Sequence, residues 1–247
     1  MQEIGILKSV CMATYNGEAF VRQQLESILF QLGPNDELIV VDDHSTDGTI
    51  GVVVDLNDSR IKVFRNERNL GVLRSFERAI SLAKGGIIFL SDQDDIWSHE
   101  KVVRVMSVFE KYSDVTLVLS DARIIDKEGH EIDKSFFSKR GAFKPGVFHN
   151  FIKNKYLGCV MAFKREMVNR ILPFPVRIPQ HDMWIGLINA VYGRAFYIDM
   201  PLVNYRRHGN NASSASSNKR SGIQKMIVWR WQLLKNLILR VGALYKR

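Results

Sequence analysis

Ile87-Ile-Phe-Leu-Ser-Asp-Gln-Asp-Asp95 runs from four apolar residues into three carboxylates within four positions. A short apolar run of this kind reads as a buried strand, and its acidic end reads as a site. The same arrangement recurs twice upstream. Glu37-Leu-Ile-Val-Val-Asp-Asp43 is a second apolar run that ends in carboxylates, and residues 6–13 form a mostly apolar run that breaks at Thr14-Tyr15-Asn16-Gly17. Helical spacing separates them. From residue 18, Phe20, Val21, Leu25, Ile28, Leu29 and Leu32 share one face, and Gly33-Pro34-Asn35-Asp36 ends the pattern. Residues 49–56 read as a weak helix with much β-branched content, 61–64 as a strand, and 72–83 as a helix stopped by Gly85-Gly86. Strands alternating with helices imply βαβ units and a mostly parallel sheet. Ligands of such sheets bind outside the carboxyl ends of the strands, where this chain places three polar clusters. That convergence argues for one nucleotide-type site.

The 247 residues are 46% hydrophobic, enough for the core of one α/β domain. Cys11 and Cys159 lie far apart in apolar runs and read as small buried hydrophobes. Neither a signal-peptide pattern nor an apolar run long enough to cross a membrane is visible. The net charge of +9 is uneven: residues 204–247 hold ten Lys or Arg and no Asp or Glu, leaving 25 basic against 26 acidic residues in 1–203. A neutral body with a basic tail points to an anionic surface as the tail's partner, with solvated charge as the plain alternative. Nucleic acid is not expected as a partner.

The second half is less regular. Residues 115–120, 158–164 and 196–205 read as strands, and 129–146 as a loop anchored by Phe136-Phe137. Residues 210–221 are rich in Ser, Asn and Ala and read as a linker or lid, and 223–245 as a long helix. The expected organisation is a single α/β domain over 1–210, with a nucleotide-binding half to about 112 and an acceptor-side half from about 113. A flexible segment at 211–221 and a basic amphipathic helix at 222–247 follow.

Three carboxylates so close repel one another unless a cation sits among them. A diphosphate ligand adds negative charge, and Mg2+ or Mn2+ resolves the conflict while stabilising a leaving diphosphate. The plain alternative has Asp94 or Asp95 capping a helix at 99–109. Asp43 is placed to accept a hydrogen bond from a base or ribose hydroxyl, whereas Asp47 suits a turn. No G-x-G-x-x-G follows the first strand, so a dinucleotide fold of that type is excluded. A nucleotidyltransferase is disfavoured too, because no basic Gly-rich loop lies near the N-terminus.

Met12-Ala-Thr-Tyr-Asn-Gly17, Val40-Val-Asp-Asp-His-Ser-Thr-Asp-Gly48, Asn69-Leu-Gly-Val72 and Leu90-Ser-Asp-Gln-Asp-Asp-Ile-Trp97, in that order and spacing, resemble glycosyltransferase family 2 over roughly residues 4–210. The resemblance implies a GT-A fold and inverting sugar transfer from a nucleotide diphosphate to a saccharide. By it, Ala13, Tyr15 and Asp43 line the base pocket, with Thr14 and Asn69 nearby. Asp92 lies near the ribose, and Asp94 holds the metal. Gln180-His-Asp-Met-Trp184 resembles the family's later acidic motif, which makes Asp182 the base that takes the acceptor's proton. The plain reading is a cap on a helix at 183–191. His181 stands where many relatives carry Glu. That His, together with Tyr205-Arg-Arg-His-Gly-Asn-Asn211, is similar to the rhamnosyltransferase-like branch. His208 then completes the metal shell, and Asp95, His181, Arg206 and Arg207 lie beside the metal or the diphosphate. The implied donor is dTDP-rhamnose, and the implied role is assembly of bacterial cell-surface polysaccharide. The alternatives are a UDP-hexose donor, or a non-catalytic module that binds nucleotide sugars.

On a helical wheel Met226, Ile227, Leu233, Leu234, Leu237, Ile238 and Val241 share a face, with Lys225, Gln232, Lys235, Asn236 and Arg240 opposite. Such a helix lies in a membrane interface with Trp229 and Trp231 at headgroup depth, packs on the body, or forms half of a homodimer contact. The first option places the protein in the cytoplasm, peripheral to the inner face of the cell membrane, beside a lipid-linked acceptor.

Overall fold

The computed structural model describes residues 6–138, 141, 143, 146–152, 154–176, 178, 180–209 and 223–244. The linker or lid expected at 211–221 lies outside them. In chain order the elements are β1 (Lys8–Thr14), α1 (Val21–Leu29), β2 (Glu37–Asp42), α2 (Thr49–Asp55), β3 (Ile61–Arg65), α3 (Val72–Leu82), β4 (Ile87–Ser91), β5 (Ile96–Trp97) and α4 (Lys101–Lys111). Then come β6 (Val115–Ile125), β7 (Glu131–Asp133), α5 (Val147–Ile152), a 3₁₀ turn at Gly158–Val160, β8 (Met161–Lys164), a second 3₁₀ turn at Arg165–Met167, α6 (Val168–Ile171), α7 (His181–Tyr192), β9 (Arg194–Arg206) and α8 (Ile223–Leu244).

The strands form one sheet in the order β3-β2-β1-β4-β8-β6-β9-β5, with β7 paired to β6. The strand runs without alternating polarity are the ones buried on both faces, as parallel strands under helices must be. Every residue of β2 and of β4 is buried. The parallel part is β3-β2-β1-β4. Beyond β4 the sheet is mixed: β8 runs antiparallel to both its neighbours, and β6 and β9 pair in parallel. β6 is longer than the expected strand at 115–120 because its far half pairs with β7 and β9. In register, Thr14 lies opposite Asp42 and Met12 opposite Ser91, so β1, β2 and β4 end nearly level. Helix α3 buries Ser75, Phe76, Ala79 and Ile80, a helical spacing that turns one face onto the sheet.

Two expectations change in the second half. The strand expected at 158–164 begins with the 3₁₀ turn. Helix α7 starts at His181 with Gln180 as its N-cap, so Asp182 sits inside the first turn and is not the cap. The anchoring role expected of Phe136 and Phe137 agrees with the structure, where both are buried.

Helix α8 packs on the body. Leu233 and Leu237 are buried, each contributing about 1.5–3 kcal/mol of apolar burial. Arg240, expected on a solvated face, turns inward. Its guanidinium donates to the carbonyls of Arg170 (3.1 Å), Leu172 (2.7 Å) and Pro173 (2.5 Å) and stacks 5.6 Å from the Trp184 ring. The opposite side leaves Val228, Trp231, Ile238 and Leu239 exposed. The apolar stripe is thus wider than one face of the helix, and packing uses only part of it. No helix among the described residues is long and apolar enough to cross a membrane.

Candidate active site

The level ends of β1, β2 and β4 open into a cleft of about 900 Å³. Ala13, Thr14, Tyr15, Asp43, Asn69 and Asp92 line it, as do Asp94, His181 and Asp182. These nine residues come from five separate segments of the chain.

Side chains lace the loops at the strand ends to one another. The Gln93 amide accepts from the Tyr15 N–H at 2.9 Å and donates to the Tyr15 carbonyl at 3.0 Å. Asn16, in the left-handed region at φ 47°, receives the Thr46 N–H at 2.9 Å and gives its own N–H to Ser45 at 3.0 Å. Gly17 is required beside them, since a Cβ there would come within 2.2 Å of Gln93 Oε1. Asp43 lines the cleft, and its carboxylate also accepts from Asn66 Nδ2 (2.8 Å) and the N–H groups of Leu70 (2.8 Å) and Gly71 (2.7 Å). It therefore fixes the loop that starts α3, where Gly71 adopts φ 86°, a conformation that favours glycine. Sequence reasoning missed Asn66 and Gln93, whose roles depend on partners far away in the chain.

The acidic segment divides into two half-buried carboxylates and one buried one. Asp92 and Asp94 reach the cleft, whereas Asp95 is fully buried. Neither Asp94 nor Asp95 caps a helix: Ile96 and Trp97 leave as β5, and Glu100 is the cap of α4. Burial, together with the charges of Asp94 and Asp182, pushes the Asp92 carboxyl up to about 7. Asp95 rises well above the usual carboxylate range through burial and the charges of Asp94 and Asp92. Its Oδ1 takes the Arg206 N–H at 2.9 Å, and its Oδ2 is buried without a hydrogen-bond partner.

Beneath these carboxylates lies a group that the sequence did not reveal. The Cys159 sulfur and the carboxylates of Asp92 and Asp95 lie within 4.8 Å of one another. Burial holds the Cys159 thiol protonated. Lys101 is fully buried. Its ammonium donates to the Cys159 carbonyl at 2.7 Å, sits 3.7 Å from the Trp97 ring centre, and is pulled down to about 7 by burial. Cys159 is therefore more than the small hydrophobe that its apolar context suggests, and Lys101 is the cation of this inner layer.

His208 approaches Asp94, with Nε2 2.7 Å from Oδ2, and its ring stacks on Phe20 at 4.8 Å. The Asp94 carboxylate oxygen suits the expected Mg2+ or Mn2+, and the softer His208 nitrogen suits Mn2+ better than Mg2+. The Asp92–Asp95–Cys159 group fits such an ion less well, because its sulfur is a neutral thiol and Lys101 already brings a positive charge.

Arg206 does not take the position expected of a diphosphate ligand. It is buried, and its guanidinium donates to the carbonyls of Asp94 (2.9 Å) and Lys127 (2.8 Å) and to Gln23 Oε1 (2.7 Å). It braces the loop that carries Asp94. Arg207 does not line the cleft either. Its N–H pairs with the Ile125 carbonyl, continuing the β6–β9 pairing.

Asp182, whose charge acts on Asp92, is buried at the start of α7 and accepts the Met183 N–H at 2.6 Å. Burial lifts its carboxyl to about 7, against the lowering effect of backbone N–H groups at Met183 and Gly158. His181 stacks on Phe76 with ring centres 4.1 Å apart, and burial lowers it to about 4. It is thus a neutral ring at neutral pH, not a charged partner for phosphate.

The sequence profile of the family described as "Glycosyl transferase family 2" matches residues 9–172. Among curated relatives, an Escherichia coli protein described as "UDP-Glc:alpha-D-GlcNAc-diphosphoundecaprenol beta-1,3-glucosyltransferase WfgD" is 28% identical, over 94% of this chain and 87% of that protein. A Shigella flexneri "dTDP-rhamnosyl transferase RfbG" is 27% identical, over 83% of this chain and 74% of that one. Among solved structures, S. aureus TarS 1-349 in complex with UDP-GlcNAc superposes with a TM-score of 0.71 at 16% identity. The alignment covers 96% of this chain and 66% of that one, just under two thirds. The likeness establishes the GT-A type of fold.

Proposed function

The chain belongs to glycosyl transferase family 2, and we propose that it moves a sugar from a nucleotide diphosphate to a saccharide hydroxyl with inversion at the anomeric carbon. The observation that carries the proposal is a single cleft lined by the strand-end residues, by Asp94 and by Asp182. Inversion needs a carboxylate that takes the acceptor's proton on the face opposite the leaving diphosphate. With its carboxyl raised to about 7, Asp182 is a stronger base than an ordinary aspartate and still ionises near neutral pH. Ala13, Thr14, Tyr15, Asp43 and Asn69 would hold the nucleoside. Asp94 and His208 would hold a Mg2+ or Mn2+ ion, whose chemistry is Lewis-acid neutralisation of the leaving diphosphate. Arg206 and Asp95 would keep the Asp94 loop in place.

The donor reading is dTDP-rhamnose, supported by His181-Asp182, by Tyr205-Arg-Arg-His208 and by the description of the Shigella relative. The description of the E. coli relative supports the second reading, a UDP-hexose. The diphosphoundecaprenol in the E. coli description supports a lipid-linked acceptor, and assembly of bacterial surface polysaccharide belongs to the same proposal. Incubation with a panel of nucleotide sugars plus Mn2+, read by thermal shift and diphosphate release, tests the proposal. A response to dTDP-rhamnose is expected. A response to UDP-glucose or UDP-galactose alone replaces the donor, and no response to any nucleotide sugar removes the function.

Peripheral attachment to the inner face of the cell membrane belongs to the same proposal. Its support is the exposed apolar side of α8, with Trp231 and Ile238 more than half exposed, and the cations of residues 204–247 apart from Arg206 and Arg240, which turn inward. Each cation near an anionic bilayer contributes about 1 kcal/mol. Co-sedimentation with anionic vesicles is expected, weaker at high salt, and lost in a Trp231→Glu, Ile238→Glu double variant. Equal pelleting of the variant would remove the helix from the contact.

A further inference from the structure

A fully buried lysine usually pairs its ammonium with a carboxylate. Lys101 spends its donor bond elsewhere. The ammonium sits over the Trp97 ring, 3.7 Å from its centre, and donates at 2.7 Å to the carbonyl of Cys159. Asp92 and Asp95 act on it through their charges. The first residue of α4 thereby grips the middle of the 3₁₀ turn Gly158–Val160. The same turn meets the start of α7. The Gly158 N–H faces the Asp182 carboxylate and favours its ionised form. A Cβ at Gly158 would come within 2.9 Å of His181 Nε2 and 3.6 Å of Asp182 Cβ, so glycine is what lets the turn approach this closely. The His181 ring has no room to retreat, because it stacks on Phe76 with ring centres 4.1 Å apart. One short turn therefore touches both Lys101 and the base.

Resting on the glycosyl-transfer reading, we propose that Lys101 is a positioning residue for the base: it clamps the Gly158–Val160 turn, and the clamped turn keeps the Gly158 N–H against the Asp182 carboxylate. Lys101 touches no reacting atom and acts through the backbone of the turn. It follows closely on the segment that carries Asp94, so the metal-side carboxylates and the base belong to one rigid connection. Without the clamp the turn draws back, and the carboxylate loses a donor that favours its charged form. Loss of such a donor raises a carboxyl's pKa, so the base then needs a higher pH to ionise. The other ionisable groups about the turn are His181 on α7, Asp92 after β4, Cys159 in the turn itself, and Arg230 of α8, which lines the same cleft. The variants below alter none of them.

The test follows the protonation of Asp182 in the full chain by carbon-13 NMR of labelled Asp carboxyls, with the Asp182 signal assigned by its loss in Asp182→Asn. In the wild type it should titrate at about 7. Two variants loosen the turn from opposite ends. Lys101→Met removes the donor at nearly constant length, and Gly158→Ala keeps Lys101 but forces the turn away from His181. In both, the Asp182 titration should move up by about one pH unit, the worth of one hydrogen bond to a charged group. Nucleoside-diphosphate release from the donor that responds best, at saturating donor and Mn2+, should then fall about tenfold at pH 6 but less than about twofold at pH 8.5. A role in stability alone would lower the Tm and leave both profiles in place, and that result overturns the proposal. A move in Lys101→Met without one in Gly158→Ala overturns it too, since the cation would then act on Asp182 through space. Failure of the wild type to release diphosphate from any nucleotide sugar overturns the parent reading instead, while the carboxyl titration still decides the clamp.

Discussion

The wall at the ends of β1, β2 and β4 is fastened by polar side chains that reach from loop to loop, whereas the wall that carries Asp182 is fastened by burial. Gln93, Asn16 and Asp43 each bind the backbone of a different segment. By contrast, α7 is buried from His181 through Asn189, with Trp184 inside and α8 laid against it. The polar wall has a fixed outline because every loop is held at several atoms. The apolar wall sets an electrostatic environment, since burial raises Asp182 and lowers His181. One side of the cleft is specialised for shape and the other for proton affinity.

The largest expected effect isolates the apolar wall. Asp182→Asn keeps the side chain's shape and should lower turnover by about 10²–10⁴-fold, the usual worth of a general base, with donor affinity near normal. Steady-state kinetics beside donor calorimetry checks it, and a variant that keeps more than about a tenth of turnover would remove Asp182 from the chemistry. The next effect lies where the walls meet. Lys101→Met removes the buried cation that joins the acidic layer to the Cys159 turn. It should cost about 1–3 kcal/mol of stability, because the buried Cys159 carbonyl loses its donor. Urea unfolding measures this, and an unchanged midpoint would show that the layer is held by packing alone.

A third effect isolates the polar wall. Asp94→Ala should weaken metal-dependent donor binding by at least about tenfold while leaving metal-free binding alone. Calorimetry with and without chelator reads the difference. The smallest effect is a pH dependence. Folded Asp92 and Asp182 keep protons up to about 7, whereas the unfolded chain releases them near 3.8. Raising the pH from about 5 to 7 therefore favours unfolding. His181 acts in the opposite sense, since it is held near 4 against 6.5 when unfolded. Two carboxylates outweigh one imidazole, so the metal-free Tm should fall across this window by about 2–4 °C per kcal/mol lost. A Tm that rises instead would mean that these carboxyls are ionised in the folded protein.

The same contrast explains what could be read from the chain alone. The polar wall was legible because each strand announces itself as an apolar run and each site residue follows it directly, as Asp43 follows β2 and Asp92 follows β4. The partners Asn66 and Gln93 were not, because their hydrogen bonds join residues 23 and 78 positions apart. Lys101 and Cys159 were hidden by ordinary surroundings: one reads as a helix-surface charge, the other as core. For Arg206 the sequence left two places open, beside the metal or on the diphosphate, and the fold shows it bracing the Asp94 loop through carbonyls. For α8, periodicity revealed the apolar residues but not which of them the body would cover, since the stripe is wide enough for two assignments.

The paired bonds between Gln93 and Tyr15 amount to one rung of a strand ladder supplied by a side chain. A primary amide offers an acceptor and a donor on neighbouring atoms, as a peptide group does. Glutamate offers two acceptors, lysine only donors, and asparagine the right pair on a stem one carbon too short. A library randomised at position 93 and selected for turnover should therefore converge on glutamine, even though the residue need never touch a substrate. Selection there would be acting on the spelling of the scaffold.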